Sequence, residues 1–260
     1  MRPPGRRWLT ELAVLATFYL TYDLLRNAVT GSLADATRNA HQIISLERHL
    51  WLFHELAVQE LVIDHRLLVQ LIDGWYGWVH FGVPLVTIAL LLWRNPRRAR
   101  TWRNTFIALC VLGLVGFALY PLLPPRLLPE SYGFVDTMVR IGGPGIKPQS
   151  AEDVGNAYAA MPSLHAGWSA WCTLALLPVI RRRGARVALA VYPFITAFVV
   201  MATANHYIVD VFGGWLALGM ARGVVEMVER PWDRYRSVKV EGGEAPGPSP
   251  DGGLAQAVVG

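Results

Sequence analysis

Residues 205–214 read NHYIVDVFGG, a histidine and a carboxylate four residues apart at the point where a long apolar segment begins. At helical spacing His206 and Asp210 share one face, one above the other. Carrying an aspartate to the depth of a membrane helix costs about 2.5–3.5 kcal/mol, so an intramembrane carboxylate marks a functional site by default. The spacing by itself also arises by chance. What surrounds it decides the fold.

Working outward, six segments have the roughly 20 apolar residues that a helix needs to cross a bilayer. They cover residues 8–28, 67–93, 102–122, 164–180, 186–204 and 207–228. Over the 260 residues 53% are hydrophobic and mean hydropathy is +0.32, which excludes an ordinary soluble domain. The predicted fold class is all-α: a polytopic membrane protein with six transmembrane helices and extracytoplasmic interfacial helices. Residues 1–236 form the membrane domain. Residues 237–260, rich in Gly and Pro and poor in aromatics, are expected to be a disordered tail. The basic stretch 1–7 precedes the first apolar run with no small-residue cleavage site after it, which predicts an uncleaved first span.

The arginines orient this arrangement. Seventeen of the 24 basic residues, from Arg2 to Lys239, fall on one side of the six-span scheme. The positive-inside rule makes that side cytoplasmic, with both termini inside, as expected of a multi-pass protein of the cytoplasmic (inner) membrane. Short basic clusters between apolar runs also argue against nucleic acid as a partner. Cys110 and Cys172 lie in apolar runs without metal-ligand spacing. The mixed stretch 33–65 predicts one or two amphipathic helices, with Glu47, His54 and Glu55 on a wet face that could cover a site.

Three pieces then meet at the outward face: Arg126 after the third span, Ser163 and His165 at the start of the fourth, and His206 and Asp210 at the start of the sixth. They suffice for phosphoryl transfer without a metal. One histidine attacks phosphorus, the carboxylate holds the other nitrogen of that ring, and the second histidine protonates the leaving oxygen. Arginine donates two hydrogen bonds at once to phosphate oxygens, and amides at the fourth helix start add donors. Each piece has a plainer reading. Arg126 could snorkel as an anchor, Ser163 could be only an N-cap, and His165 could be a helix-start histidine facing water; Asp23 and Arg26, near the end of the first span, could be a paired intramembrane set or could mark the headgroup entrance.

PSLH followed by NHYIVDVFGG resembles the second and third signature blocks of the type 2 phosphatidic acid phosphatase superfamily, whose members share a six-helix core with vanadium haloperoxidases. PLLPPRLL and the Trp- and Tyr-rich second span resemble its inositol-phosphorylceramide synthase-like (inositolphosphotransferase) branch. The resemblance spans about residues 25–230 and implies that His206 becomes phosphohistidine, that Asp210 orients it, and that His165 is general acid and then base. Ser163 and Arg126 would bind phosphate. No cofactor and no metal are implied. Three departures follow. Leu119 stands where the family has a lysine, Leu164 replaces the glycine of PSGH, and Val200 stands where an arginine is usual. Either Lys147, Arg140 or Arg26 supplies the missing charge, or the phosphate is held more weakly.

The expected function is a membrane phosphatase or phosphotransferase working at the extracytoplasmic face. Its substrate is a lipid phosphate, diphosphate or phosphodiester reached from the bilayer, with a polyol or other hydroxyl as a candidate acceptor. The rivals are a metal-dependent hydrolase, with two histidines and an aspartate as a facial triad, and a transporter using His206 and Asp210 as a proton or ion site.

Overall fold

Apolar residues at helical spacing produce helices throughout the computed structural model, which describes residues 4–28, 31–141 and 157–241. In order these are α1 (Pro4–Ala28), α2 (Leu33–His49), α3 (Glu55–Ile63), α4 (Arg66–Gly74), α5 (His80–Arg94), α6 (Pro96–Leu119), α7 (Thr137–Arg140), α8 (Leu164–Leu176), α9 (Arg183–Ala202) and α10 (Ile208–Glu241). A π-helical turn, Trp75–Val79, joins α4 to α5. No strand occurs among the described residues, and the only extended pairing there is an isolated bridge from Leu122 to Ala159.

Several boundaries follow from side chains that take up orphan amides. Ser32 accepts from the Asp35 N–H at 3.0 Å to start α2, and Asn95 accepts from the Arg98 N–H at 3.1 Å with Pro96 at the first position of α6. Two helices, α2 and α3, fill the mixed stretch between the first two apolar segments.

Among the described residues, four segments are long and apolar enough to cross a membrane: Arg66–Arg94, Pro96–Leu119, Arg183–Ala202 and Ile208–Glu229. The other two expected spans differ for separate reasons. In α1 the length suffices, but Glu11, Asp23 and Arg26 interrupt the apolar run. In α8 the helix stops at Leu176 after 13 residues, about 20 Å at 1.5 Å per residue, short of a hydrocarbon core of about 30 Å. Its end is set by arginines. Arg98 donates to the carbonyls of Leu174 and Ala175, both at 3.1 Å, and Arg186 donates to Leu177 at 2.7 Å.

The short helix is the centre of the molecule. Trp171, Cys172 and Ala175 of α8 are fully buried, and α5, α6, α9 and α10 pack around them. Leu85, Leu119, Phe194, Leu216 and Val224 on the surrounding helices are exposed, as suits surfaces facing lipid. At the end carrying the arginine caps, Glu229 of α10 accepts from Thr101 at 2.7 Å and Asn104 at 3.0 Å of α6, and Arg103 pairs with Glu11 of α1. The expected tail begins inside the described range of α10, and residues 242–260 lie outside the described residues.

Close approach of α10 to the start of α8 requires a glycine. A Cβ on Gly214 would lie 2.1 Å from the Ser163 carbonyl oxygen. The Ser163 N–H meanwhile donates to the Asp210 carbonyl at 2.9 Å. Gly-Gly in NHYIVDVFGG thus brings the second sequence block against the third.

Candidate active site

The turn between α9 and α10 is wound on one carbonyl. Val200 O accepts from the amides of Asn205 and His206 at 3.0 and 3.2 Å, and Ala204 sits at φ 53°, in the left-handed region. Arg126 is drawn to the same turn. Its N–H donates to Ala204 O at 2.8 Å, its Nε to Asn205 Oδ1 at 2.9 Å and one terminal nitrogen to Asp136 Oδ2 at 2.7 Å. The guanidinium is therefore fixed on two sides by short polar partners, with its other terminal nitrogen outside these bonds.

Asp210, the third residue of α10, reaches back one turn. Its Oδ2 accepts from the Tyr207 N–H at 3.0 Å and faces His206 Nδ1 at 3.3 Å. This is the geometry of a helix-start capping carboxylate that also fixes an imidazole. With Nδ1 held, Nε2 is the nitrogen left for chemistry. His206 and Asp210 are both buried, at 4% and 0% exposure.

The next amides of α10 are also taken by carboxylates. Ile208 N–H donates to Glu55 at 2.9 Å, and Val209 N–H to Glu47 at 2.8 Å. This corrects the expectation that Glu47 and Glu55 form a wet face, since both are buried and clamp the helix that carries His206. Only His54 of that trio is exposed. Burial raises the Glu47 carboxyl above its ordinary range, and its contact with Glu55 raises it further.

On the α8 side, Ser163 caps the helix by accepting from the Ala166 N–H at 3.4 Å. It is fully buried and is not among the residues lining the adjoining cavity. That cavity holds about 380 Å³ and is lined by both His165 and His206, with Arg126, Asn205, Arg26 and Asp23 among its polar members. The ring centroids of His165 and His206 are 5.6 Å apart. Of the three candidates for the missing charge, Arg26 lines this cavity, Arg140 is exposed at the end of α7, and Lys147 lies outside the described residues.

The departures from the family pattern have structural counterparts. Leu164 fills a notch over α6, where a Cβ on Gly113 would meet its Cδ2 at 2.7 Å. Val200 is fully buried and packs with Ala166, Ala197 and Val211, so the position serves packing and not charge. Leu119 is 79% exposed on the outer surface.

His80 and Tyr76 also line the cavity, and sequence reasoning passed over both. The signal was present, because His80 is an ionisable residue within an apolar segment of membrane length, the same criterion that singled out Asp210. No group of three or more His, Cys, Asp or Glu among the described residues is arranged to hold a metal ion.

Comparison with known proteins gives a consistent family. The family profile described as PAP2 superfamily matches residues 41–224. The inositol phosphorylceramide synthase catalytic subunit aur1 of Schizosaccharomyces pombe is 28% identical over 152 residues, an alignment covering 54% of this chain. The chain spans 36% of the length of that curated relative. No solved structure matches.

Proposed function

Given that the chain belongs to the PAP2 superfamily, we propose that it is a lipid phosphatase or phosphotransferase working through a phosphohistidine on His206. The observation that carries this reading is the pairing of His206 Nδ1 with buried Asp210 at 3.3 Å, on the wall of a cavity that also contains His165 and Arg126.

Asp210 keeps the proton on Nδ1, so that Nε2 carries the lone pair and attacks phosphorus. The N–P bond forms as the P–O bond to the leaving alcohol breaks, and His165 gives its proton to that oxygen. In the second half, water or an acceptor hydroxyl passes a proton to His165 and attacks phosphorus, which releases His206 neutral at Nε2. Arg126 and Arg26 hold the phosphate oxygens, Arg126 through the terminal nitrogen not bonded to Asp136. No cofactor or metal enters these steps. Similarity to an inositol phosphorylceramide synthase favours a phosphodiester donor and a hydroxyl acceptor.

The chain crosses the bilayer six times in this reading: α1 is one of the two added spans, and α8 is the other, enclosed by α5, α6, α9 and α10, with the non-helical residues after Leu176 completing its passage inside the protein. The arginine clusters support a reading with both termini in the cytoplasm and the cavity at the extracytoplasmic face of the inner membrane. Lipid reaches the cavity from the bilayer beside α1, whose Tyr19, Tyr22, Asp23 and Arg26 line one wall.

The purified full chain in detergent, assayed with lipid phosphates and phosphodiesters after exhaustive chelation, should release or exchange phosphate. That activity should disappear in His206→Ala. Activity that vanishes on chelation and returns with one divalent ion would overturn the scheme, as would substrate flux through proteoliposomes without any phosphoester cleavage.

A further inference from the structure

We propose that His80 is a positioning residue for His165, clamping its imidazole against Tyr76 so that its edge is aimed at the leaving oxygen. This rests on the reading of His165 as the general acid and deepens it.

Tyr76 and His80 are four residues apart across the π-helical turn Trp75–Val79, and His165 and Trp168 are three apart on α8. The two pairs interleave. Tyr76 stacks on His165 at a centroid distance of 4.1 Å, His165 on His80 at 3.6 Å, and His80 on Trp168 at 4.2 Å. The interplanar angles are 18°, 25° and 2° in the same order. A ring from one helix therefore sits between two rings of the other, twice in succession.

Such a column contacts the faces of the imidazole and leaves its edge, with both nitrogens, for polar partners. The π-helical turn suits this task. One residue is wound into the helix there, which changes which side chains face α8, and such turns recur at functional sites. Trp168 backs His80 in turn and is itself packed by Phe106 at 4.9 Å. His80 is 8% exposed and lines the cavity, yet neither half-reaction uses its nitrogens. Stacked face to face on His165, its ring presents no edge to that neighbour, so a direct proton hand-over between the two is excluded by geometry. What remains is restraint of the ring that delivers the proton to the departing alcohol while His206 bonds to phosphorus.

The test compares His80→Ala with His80→Phe in the full chain, which respectively remove the ring and keep its face. Phosphoenzyme formation is followed in single turnovers with phosphatidic acid, whose alkoxide leaving group needs a proton, and with 4-nitrophenyl phosphate, whose leaving group does not. His80→Ala should slow the phosphatidic acid reaction roughly 10- to 100-fold and the aryl reaction less than about 3-fold, and His80→Phe should stay within about 3-fold on both. Equal loss on both substrates, or a Phe variant as slow as the Ala variant, overturns the proposal.

A readout without turnover stands beside it. Carbethoxylation of His165 by diethyl pyrocarbonate, mapped by mass spectrometry, should be faster in His80→Ala than in wild type and unchanged in His80→Phe. Equal rates in all three proteins also overturn it. Shielding of His165 by His80 in a wild-type protein that forms no phosphoenzyme would instead sink the phosphohistidine reading alone.

Discussion

Replacing Gly214 by alanine should separate the two halves of the site. The added Cβ would lie 2.1 Å from the Ser163 carbonyl oxygen and 3.1 Å from the Gly167 amide nitrogen. Backbone on both sides leaves no flexible side chain to give way. Restoring van der Waals contact needs α8 and α10 to part by about 1 Å, and overpacking of this kind costs about 1–3 kcal/mol. The displacement falls on the bond from Ser163 N–H to the Asp210 carbonyl and on the approach of His165 to His206. A shift of about 1 Å in a reacting group costs roughly 100-fold in rate. The assay is thermal unfolding in detergent, read by fluorescence-detected size exclusion, together with turnover of a lipid phosphate at the same temperature. Gly219→Ala is the control, since a Cβ there meets nothing within 4 Å. It should be as stable as wild type or slightly more so. If Gly214→Ala matches Gly219→Ala in both stability and activity, α8 and α10 do not meet as described.

Three further outcomes follow from the clamps and cations. Glu47→Gln keeps an acceptor for the Val209 amide and removes an acid whose proton affinity is raised by burial and by Glu55. A raised carboxyl stabilises the fold below its unfolded value near 4.5 and loses that contribution as pH climbs toward its folded value. The wild type should therefore lose thermal stability from about pH 5 upward while Glu47→Gln shows a flatter profile; parallel profiles would refute the buried-acid reading. Arg126→Lys replaces a planar fork whose separate nitrogens reach Asn205 and Asp136 with a single point donor, so kcat/KM should fall roughly 10- to 100-fold, and an unchanged value would mean that the guanidinium does not meet phosphate. Arg26→Gln should raise KM by roughly tenfold with less effect on kcat; no change would remove Arg26 as the substitute for the cations missing at Leu119 and Val200.

What could be read from the chain, and what could not, divides along the range of the forces involved. His206 and Asp210 meet across the start of α10, where Asp210 reaches back to a histidine two residues ahead of the helix, and that contact is local in sequence even though the two do not share a helical face. Arg126 and His165 were assigned to the same face from charge asymmetry between apolar runs, a global but one-dimensional signal, and the cavity does gather them with His206. The interleaved rings could not be read this way, because Tyr76 and His80 acquire their role only when α8 slides between them. Glu47 and Glu55 misled for a related reason. Carboxylates at helical spacing look solvated until the amides they bind, 153 and 162 residues away, are known. The extent of α8 was overestimated because an apolar run does not reveal where arginines from other helices cap its carbonyls.

The most direct measurement is to quench the full chain with a phosphate-labelled lipid donor and map the label by mass spectrometry. The label should sit on Nε2 of His206, be labile to acid and stable to base, disappear in His206→Ala, and form more slowly in Asp210→Asn. Label that persists in His206→Ala, or turnover that survives that substitution, would contradict the account at its centre.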